Sequence, residues 1–347
     1  MPTVRGTESV VSPLQKSGLN KKGLCDYVIN VASGCLHGCT FCYVPSTPVI
    51  RTRQKYFETR GVANPQMDWG KYLFVRENIA EQLNLTLSRK KTWSMTESGQ
   101  GVVMLCSGTD PYQNQQTAKV TREVVKVLVK YQRNVRILTR SPLWLQDLDI
   151  LDSPYVTVGM SLPMLDDELS RKIEPFAPPP SERYKAMLKG YEKGIRQYVA
   201  IAPTPPQTQL TNFQDLLSKL LVVNPEVIFW EPINARGTNG KRMLAAGLDF
   251  VSSVMHRDSW ASNFIRQWRD IEQAADSLDC KQLLHIWADP DLRGFISDQT
   301  LDYWLFRRTV EKWRQNSIFS TKKGKQQTKN KLNDKNNRQK PSTALSR

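Results

Sequence analysis

Three closely spaced cysteines are the residues of this sequence with the clearest chemical potential. Cys35, Cys39 and Cys42 form a C-x3-C-x2-C run on a glycine-containing loop, and Tyr43 follows directly. Thiolates are the usual ligands of iron–sulfur clusters, and three of them can hold three corners of a 4Fe–4S cubane. The fourth iron then keeps an open position at which a small molecule can bind.

A zinc site is the alternative, because zinc accepts a Cys3His ligand set and His37 lies between the first two cysteines. Structural zinc sites more often pair two C-x2-C knuckles, and this sequence has no second pair. Ligand softness and spacing therefore favour the cluster.

Composition limits the class of protein. The chain has 347 residues, 39% of them hydrophobic, with nine tryptophans and six cysteines, which is typical of a globular protein with a sizeable core and not of a disulfide framework. No apolar run reaches the ~18 residues of a membrane span, and the polar start lacks a secretory h-region. We expect a reducing cytoplasm, which keeps thiols free. Three histidines give little support to a histidine-based hydrolase.

Half of the net charge of +16 lies at one end of the sequence. Residues 319–347 contain nine Lys or Arg, one acid and almost no large apolar side chains, which predicts a disordered basic tail. Either the tail is a solvated terminus, or it is attracted to the phosphate backbones of nucleic acid in a salt-sensitive way.

Strand-like and helix-like patterns alternate in the first two thirds of the chain, as expected for βα units on a parallel sheet. The fold class predicted is therefore α/β, a partial (β/α)6 barrel over residues 24–240. A flexible segment, 1–23, precedes it, and a helical extension, 241–318, leads to the tail. Strands are predicted at 27–31, 101–106, 135–139, 156–160, 198–202 and 227–230. Helical patterns lie at 72–91, 121–131, 143–151, 184–191 and 213–221.

Aromatic residues recur at helical spacing in the extension. Trp260, Phe264 and Trp268 form one apolar stripe, which favours packing against the barrel, although such residues also suit a substrate cleft. Cys280 stands alone there, so we expect no second iron–sulfur cluster.

Polar residues follow the predicted strands. Asp110 comes after the second strand, Arg140 after the third and Ser161 after the fourth, where βα barrels carry ligands and catalysts. Polar residues in register at these strand ends indicate a polar cofactor pocket.

These motifs resemble a known family. The cysteine spacing is similar to the cluster motif of radical S-adenosylmethionine (SAM) enzymes. Segments 109–113, 138–143, 166–169 and 174–178, together with Arg183, resemble the spore photoproduct lyase-related branch of that superfamily. The resemblance covers roughly residues 24–240. It implies that Cys35, Cys39 and Cys42 ligate a 4Fe–4S cluster, and that SAM is cleaved to a 5′-deoxyadenosyl radical.

The resemblance also implies roles for the strand-end residues. Tyr43, Asp110, Arg140 and Ser161 are expected to hold SAM, with Arg140 at the place of a lysine in the lyase. Cys106 lies near the place of the lyase's hydrogen-atom donor, with one residue more between it and Asp110. It is either such a donor or a small buried thiol.

Two further charged residues, Glu174 and Arg183, are open to two interpretations. Either they form a structural ion pair, or they orient cofactor or substrate.

The predicted function is that of a lyase-like radical SAM enzyme abstracting hydrogen from an unidentified substrate. A DNA photolesion, RNA, protein and a metabolite all remain open as substrates. An electron donor such as flavodoxin or ferredoxin is the expected partner, with nucleic acid through the basic tail as another and no membrane. The alternative is a non-catalytic nucleic-acid-binding protein that carries zinc or a cluster.

Overall fold

The computed structural model describes residues 3–19, 24–90, 92–93 and 101–306. In chain order, its strands are β1 (Val4–Thr7), β2 (Gln15–Lys16), β3 (Tyr27–Ile29), β4 (Ala32–Gly34), β5 (Tyr72–Val75), β6 (Val103–Leu105), β7 (Val135–Thr139), β8 (Val156–Ser161), β9 (Gln197–Thr204), β10 (Ile228–Pro232) and β11 (Leu284–Ile286).

The helices are α1 (Pro48–Arg51), α2 (Gln54–Glu58), α3 (Ile79–Arg89), α4 (Gln115–Lys130), α5 (Leu148–Leu151), α6 (Asp167–Ile173), α7 (Pro180–Glu192), α8 (Leu210–Val222), α9 (Asn239–Ala245), α10 (Val251–Met255), α11 (Arg257–Ser277) and α12 (Asp298–Phe306). A 3-10 helix, Pro142–Asp147, leads into α5, so the helix predicted over 143–151 is only partly α-helical.

The central sheet has the strand order β11-β10-β9-β8-β7-β6-β3-β2. All neighbouring pairs from β3 to β11 are parallel, while β2 runs antiparallel to β3. Helices connect most of these strands and cover the sheet, which explains the nearly continuous apolar runs. In β8, for example, every residue is buried. The predicted α/β class is confirmed, and all six predicted strands are present.

A seventh parallel strand lies in the extension, where we predicted only helices. Leu284–Ile286 pairs with β10 through Ile228, Phe229 and Trp230. Its three residues are too few to show a period of two in the sequence. The strand matters for the site because it brings the residues after Ile286 to the rim of the sheet.

A second, three-stranded sheet has the order β1-β5-β4 and carries the cysteine loop, which follows β4. Its central strand, Tyr72–Val75, is buried throughout and corrects our prediction of a helix over 72–91, since the helix begins only at Ile79. Val4–Thr7 is a strand, whereas we expected a flexible segment before residue 24. The domain boundaries themselves stay a prediction.

The carboxylate of Glu8 links several segments of this second sheet and its surroundings through hydrogen bonds. It accepts hydrogen bonds from Ser33 Oγ (2.5 Å), Arg53 Nη2 (2.5 Å), Tyr56 Oη (2.6 Å) and Arg76 Nε (2.7 Å). Burial alone would raise the pKa of Glu8, but these donors hold it at about 2. The segment that precedes the first cysteine is thereby tied to the N-terminal strand.

The described part of the extension packs against the barrel. Trp260, Phe264 and Trp268 on α11 are buried in the main hydrophobic core, together with Trp304 on α12. This confirms the predicted packing. Residues 319–347, the predicted basic tail, lie outside the described residues. None of the described helices is both long and apolar enough to cross a membrane.

Candidate active site

A cavity of about 460 Å³ opens at the carboxyl ends of the parallel strands. Its volume is in the range of small-molecule sites, and its position is the one that βα barrels use for catalysis. Every residue predicted for the site lines this cavity, namely Cys35, Cys39, Cys42, Tyr43, Cys106, Asp110, Arg140 and Ser161. The fold therefore brings together side chains that are more than 100 positions apart in the sequence.

The cysteine loop owes its shape to two glycines. Gly34 and Gly38 have φ values of 91° and 62°, which favour glycine. A Cβ on Gly34 would lie 2.4 Å from the carbonyl oxygen of Tyr72, so the loop can leave β4 only through a residue without a side chain. Gln113 Oε1 then accepts a hydrogen bond from the backbone of Leu36 at 2.6 Å.

Residues from late in the chain hold the other end of this loop. Asn239 Nδ2 donates to the carbonyl oxygen of Phe41 at 2.7 Å. Arg242 Nη2 donates to the carbonyl oxygen of Cys42, and its Nη1 donates to that of Gln66 at 2.7 Å. The loop is thus held by residues of α9 and by Gln113, which precedes α4.

The three thiols are free, and Cys35 and Cys39 are buried. Burial raises the pKa of Cys35 well above its usual value and that of Cys39 to about 12, and the neighbouring cysteines contribute in the same direction. A metal must therefore displace three protons. Thiolates are the usual ligands of iron–sulfur clusters, so three free thiols that line one cavity are a donor set that fits such a cluster.

His37 is engaged elsewhere than at the thiols. Its Nε2 lies 3.2 Å from Asp110 Oδ2, and both side chains are buried. Since zinc in a Cys3His site would need this imidazole as its fourth ligand, the observed geometry gives the zinc alternative no support. The contact ties the cysteine loop to the end of β6.

Asp110 connects the ends of two neighbouring strands, β6 and β7, through hydrogen bonds. Oδ1 accepts hydrogen bonds from Thr139 Oγ1 (2.7 Å) and from the backbone of Tyr112 (2.8 Å), and Oδ2 accepts one from the backbone of Arg140 (2.7 Å). Burial would raise the pKa of Asp110, but His37 and these donors lower it below its usual value. Direct contact between Asp110 and SAM stays a prediction.

Arg140 is positioned by Glu174. Arg140 Nε donates to Glu174 Oε1 at 2.6 Å, and Nη2 donates to the carbonyl oxygen of Ala202 at 3.3 Å. Glu174 also pairs with Arg183 and accepts a weak hydrogen bond from Cys39 Sγ at 4.0 Å. Burial would raise the pKa of Glu174, but Arg183 and Arg140 hold it at about 2. The ion pair of Glu174 and Arg183 is fully buried, and Glu174 also fixes the guanidinium of Arg140 beside the cavity.

The remaining predicted residues complete the wall. Ser161 Oγ donates to the carbonyl oxygen of Ala202 at 3.0 Å. Tyr43 is 47% exposed, so its ring lies at the mouth of the cavity. Cys106 is buried, and burial raises the pKa of its thiol to about 12. Cys106 therefore presents a neutral S–H group to the cavity at neutral pH.

Sequence reasoning missed the part of the cavity wall that β11 supplies, where Trp287 and Asp289 line the cavity. Beside them lie Glu231 and Asn234, at the end of the predicted strand 227–230, and Arg236. Asp289 Oδ2 accepts hydrogen bonds from Asn234 Nδ2 at 2.9 Å and from Arg236 Nη2 at 2.5 Å, which joins the two strand ends. The signal available was Leu284-His285-Ile286, a short apolar run followed by Trp287 and Asp289.

Comparison with known proteins agrees with this geometry. The family model described as the radical SAM superfamily matches residues 29–218. The chain is 28% identical over 241 residues to an uncharacterized protein of Acidianus two-tailed virus, covering 67% of this chain and 75% of that protein. It is 28% identical over 182 residues to an uncharacterized protein of Methanocaldococcus jannaschii, covering 52% and 61%. The chain thus spans three quarters of the first relative and under two thirds of the second.

Solved structures show the same fold at low identity. A spore photoproduct lyase mutant with bound AdoMet and dinucleoside spore photoproduct has a TM-score of 0.56 and 12% identity, covering 81% of this chain and 80% of that chain. Another spore photoproduct lyase mutant has a TM-score of 0.56 and 14% identity over the same coverage. These values establish a shared architecture.

Proposed function

Because this chain belongs to the radical SAM superfamily, we propose that it binds a 4Fe–4S cluster and SAM and abstracts a hydrogen atom from an organic substrate in the cavity. The observation that carries the proposal is that Cys35, Cys39 and Cys42 line the same cavity as Tyr43, Arg140 and Ser161. Cys35, Cys39 and Cys42 would hold the cluster. When bound, the cluster supplies the electron that cleaves SAM to methionine and a 5′-deoxyadenosyl radical.

The protein's own residues would bind SAM and orient it. The guanidinium of Arg140, fixed through Nε by Glu174, can hold a carboxylate such as that of SAM. The ring of Tyr43 at the mouth can cover the adenine or its ribose. The buried Ser161 lies on the wall beside the carbonyl oxygen of Ala202. The walls of the cavity can also help to keep water from a reactive carbon radical.

The neutral thiol of Cys106 is available to return a hydrogen atom to a product radical. In that step the S–H bond breaks, a C–H bond forms, and the unpaired electron moves to sulfur. This would make the enzyme lyase-like. A flavodoxin or ferredoxin would serve as electron donor in a reducing cytoplasm, and nucleic acid remains a candidate substrate that the basic tail would attract.

Anaerobic reconstitution tests the proposal. The full chain is incubated with iron and sulfide, then reduced with dithionite in the presence of SAM. We expect absorbance near ~400 nm from a thiolate-ligated iron–sulfur centre and release of 5′-deoxyadenosine, measured by chromatography. Bound zinc with no SAM cleavage would support the non-catalytic alternative instead.

A further inference from the structure

Arg242 places a buried guanidinium beside the cysteine loop. The residue lies on α9 and is 6% exposed. Its Nη2 donates to the carbonyl oxygen of Cys42, and its Nη1 donates to the carbonyl oxygen of Gln66 at 2.7 Å and to Thr238 Oγ1 at 3.0 Å. These bonds hold the guanidinium next to the third cysteine of the loop, and all of the acceptors are neutral groups.

The positive charge of Arg242 has no counter-charge among the described residues. No Asp or Glu carboxylate in that part of the chain forms an ion pair with it, and its Nε has no hydrogen-bond partner there. Burial lowers the pKa of Arg242, and Cys42, Tyr72 and Cys39 oppose this shift. Two of these three opposing groups are thiols of the cysteine loop. A buried charge without a partner is strongly unfavourable, so a negative charge bound near this loop would stabilise it.

The other charged side chains beside the thiols have counter-charges within the protein. Arg140 and Arg183 both contact the carboxylate of Glu174, and His37 contacts that of Asp110. Among the described residues around the loop, Arg242 therefore differs in carrying a charge that these carboxylates do not offset.

A cluster held by the three cysteines would bring the missing negative charge. A 4Fe–4S cubane with three thiolate ligands is anionic, and its reduction adds one electron without forming or breaking a bond. Net charge is one of the factors that set the reduction potential of such a cluster. Arg242 lies outside the cavity lining, so its charge would act across the loop and not as a ligand.

We propose that Arg242 is the counter-charge of the iron–sulfur cluster and raises its reduction potential. The guanidinium stabilises the oxidised, anionic cluster and stabilises the reduced cluster more, because the reduced form carries one more negative charge. The proposal rests on the proposed function, because it takes Cys35, Cys39 and Cys42 as the cluster ligands.

The test measures the reduction potential itself. Full-length wild type, Arg242→Gln and Arg242→Lys are reconstituted anaerobically with iron and sulfide. Each is titrated with dithionite in the absence of SAM, and the reduced cluster is followed by electron paramagnetic resonance. At one fixed potential, the ratio of reduced to oxidised cluster should be about tenfold lower in Arg242→Gln than in wild type, a shift of about 59 mV for a one-electron couple. Arg242→Lys keeps the charge, so its potential should stay near the wild-type value.

Lys241, which precedes Arg242 on α9, provides the matched control. Its side chain is exposed, so water and salt screen its charge. Lys241→Gln removes the same charge and should leave the potential unchanged. Equal potentials in Arg242→Gln and wild type, or equal shifts in Arg242→Gln and Arg242→Lys, would overturn the proposal.

Iron content covers the case in which a variant does not hold the cluster. If Arg242→Gln takes up no iron while Arg242→Lys is fully loaded, the cluster requires the positive charge, which supports the proposal. If both variants lose the cluster, Arg242 serves only to hold the loop through its hydrogen bonds, and the proposal is wrong.

Failure of this inference can be told from failure of the proposed function. The redox titration needs neither SAM nor turnover, whereas SAM cleavage is measured separately as released 5′-deoxyadenosine. A chain that cleaves SAM but whose potential does not depend on Arg242 refutes only the role of Arg242. A potential that depends on Arg242 in a chain that does not cleave SAM supports this role and refutes the radical chemistry. A wild type that takes up no iron refutes the cluster, and the role of Arg242 with it.

Discussion

Glu174 Oε2 and Arg183 Nη2 lie 2.5 Å apart, and neither side chain is exposed to solvent. The same carboxylate orients Arg140, so one acid balances two guanidinium groups. We predict that Glu174→Gln lowers the free energy of unfolding by about 3–5 kcal/mol, because breaking a buried pair leaves charge uncompensated. Urea denaturation measures the change.

The exposed pair of Glu168 and Lys172 provides the control for this substitution. Their N···O distance is 3.2 Å, and the Glu168 side chain is 75% exposed. Glu168→Gln should change stability by less than about 0.5 kcal/mol. Similar losses in the two variants would show that the buried ion pair does not stabilise the fold.

Each cysteine of the loop is predicted to be essential for chemistry. Cys35→Ala, Cys39→Ala and Cys42→Ala should each abolish the release of 5′-deoxyadenosine, because three thiolates are needed to hold a cubane with one open iron. Iron content and 5′-deoxyadenosine are measured after anaerobic reconstitution. Cys25→Ala and Cys280→Ala, which alter buried thiols outside the cavity lining, should retain activity. An active Cys39→Ala protein would refute the ligand assignment.

Glu8 should make stability depend on pH. Its pKa falls from the usual 4.5 to about 2 on folding, so its contribution is fully present above pH ~4.5 and is lost as pH falls towards ~2. The loss should be on the order of 2 kcal/mol, with some of the electrostatic effect screened by solvent.

Urea denaturation of wild type and Glu8→Gln between pH ~2 and pH ~6 isolates this contribution. The stability difference between the two proteins should shrink as the pH falls. Glu58→Gln, which alters an exposed acid on α2, should follow the wild-type curve. A constant difference across the range would assign the effect of Glu8→Gln to packing.

Substitution of Cys106 is predicted to change the identity of the product but not the cleavage of SAM. Cys106→Ala and Cys106→Ser should both release 5′-deoxyadenosine, since Cys106 is not a proposed ligand. If its S–H group quenches a product radical, mass spectrometry will show adducted or misquenched products in both variants, because the O–H bond of serine is a much poorer hydrogen-atom donor. Unchanged product, with a stability loss of about 1 kcal/mol, would identify a merely buried thiol.

Local sequence patterns predicted the parts of this molecule that depend on local chemistry. The apolar run 156–160 became β8, and the polar residues after each strand met at one rim because parallel strands end on the same side. The spacing of Cys35, Cys39 and Cys42 likewise needs no distant partner to be recognised.

These local patterns could not predict contacts between residues that are far apart in the sequence. Glu8 bonds to Arg76 across 68 positions, and no local period marks either residue as a partner of the other. His37 meets Asp110 because β3, which leads towards the cysteine loop, pairs with β6, which leads towards Asp110. Strand β11 was missed for a related reason, since pairing with β10, and not its own short sequence, makes it a strand.

The hydrogen bond from Arg242 to the carbonyl oxygen of Cys42 joins residues that are 200 positions apart. This separation has a consequence for biosynthesis. At ~5–20 residues per second, a ribosome makes Cys42 about 10–40 s before Arg242. During that interval the three thiols emerge on a nascent chain without α9 to close their loop. We therefore expect a newly made chain to need protection of these thiols from oxygen, and insertion of iron and sulfide to follow synthesis of the barrel.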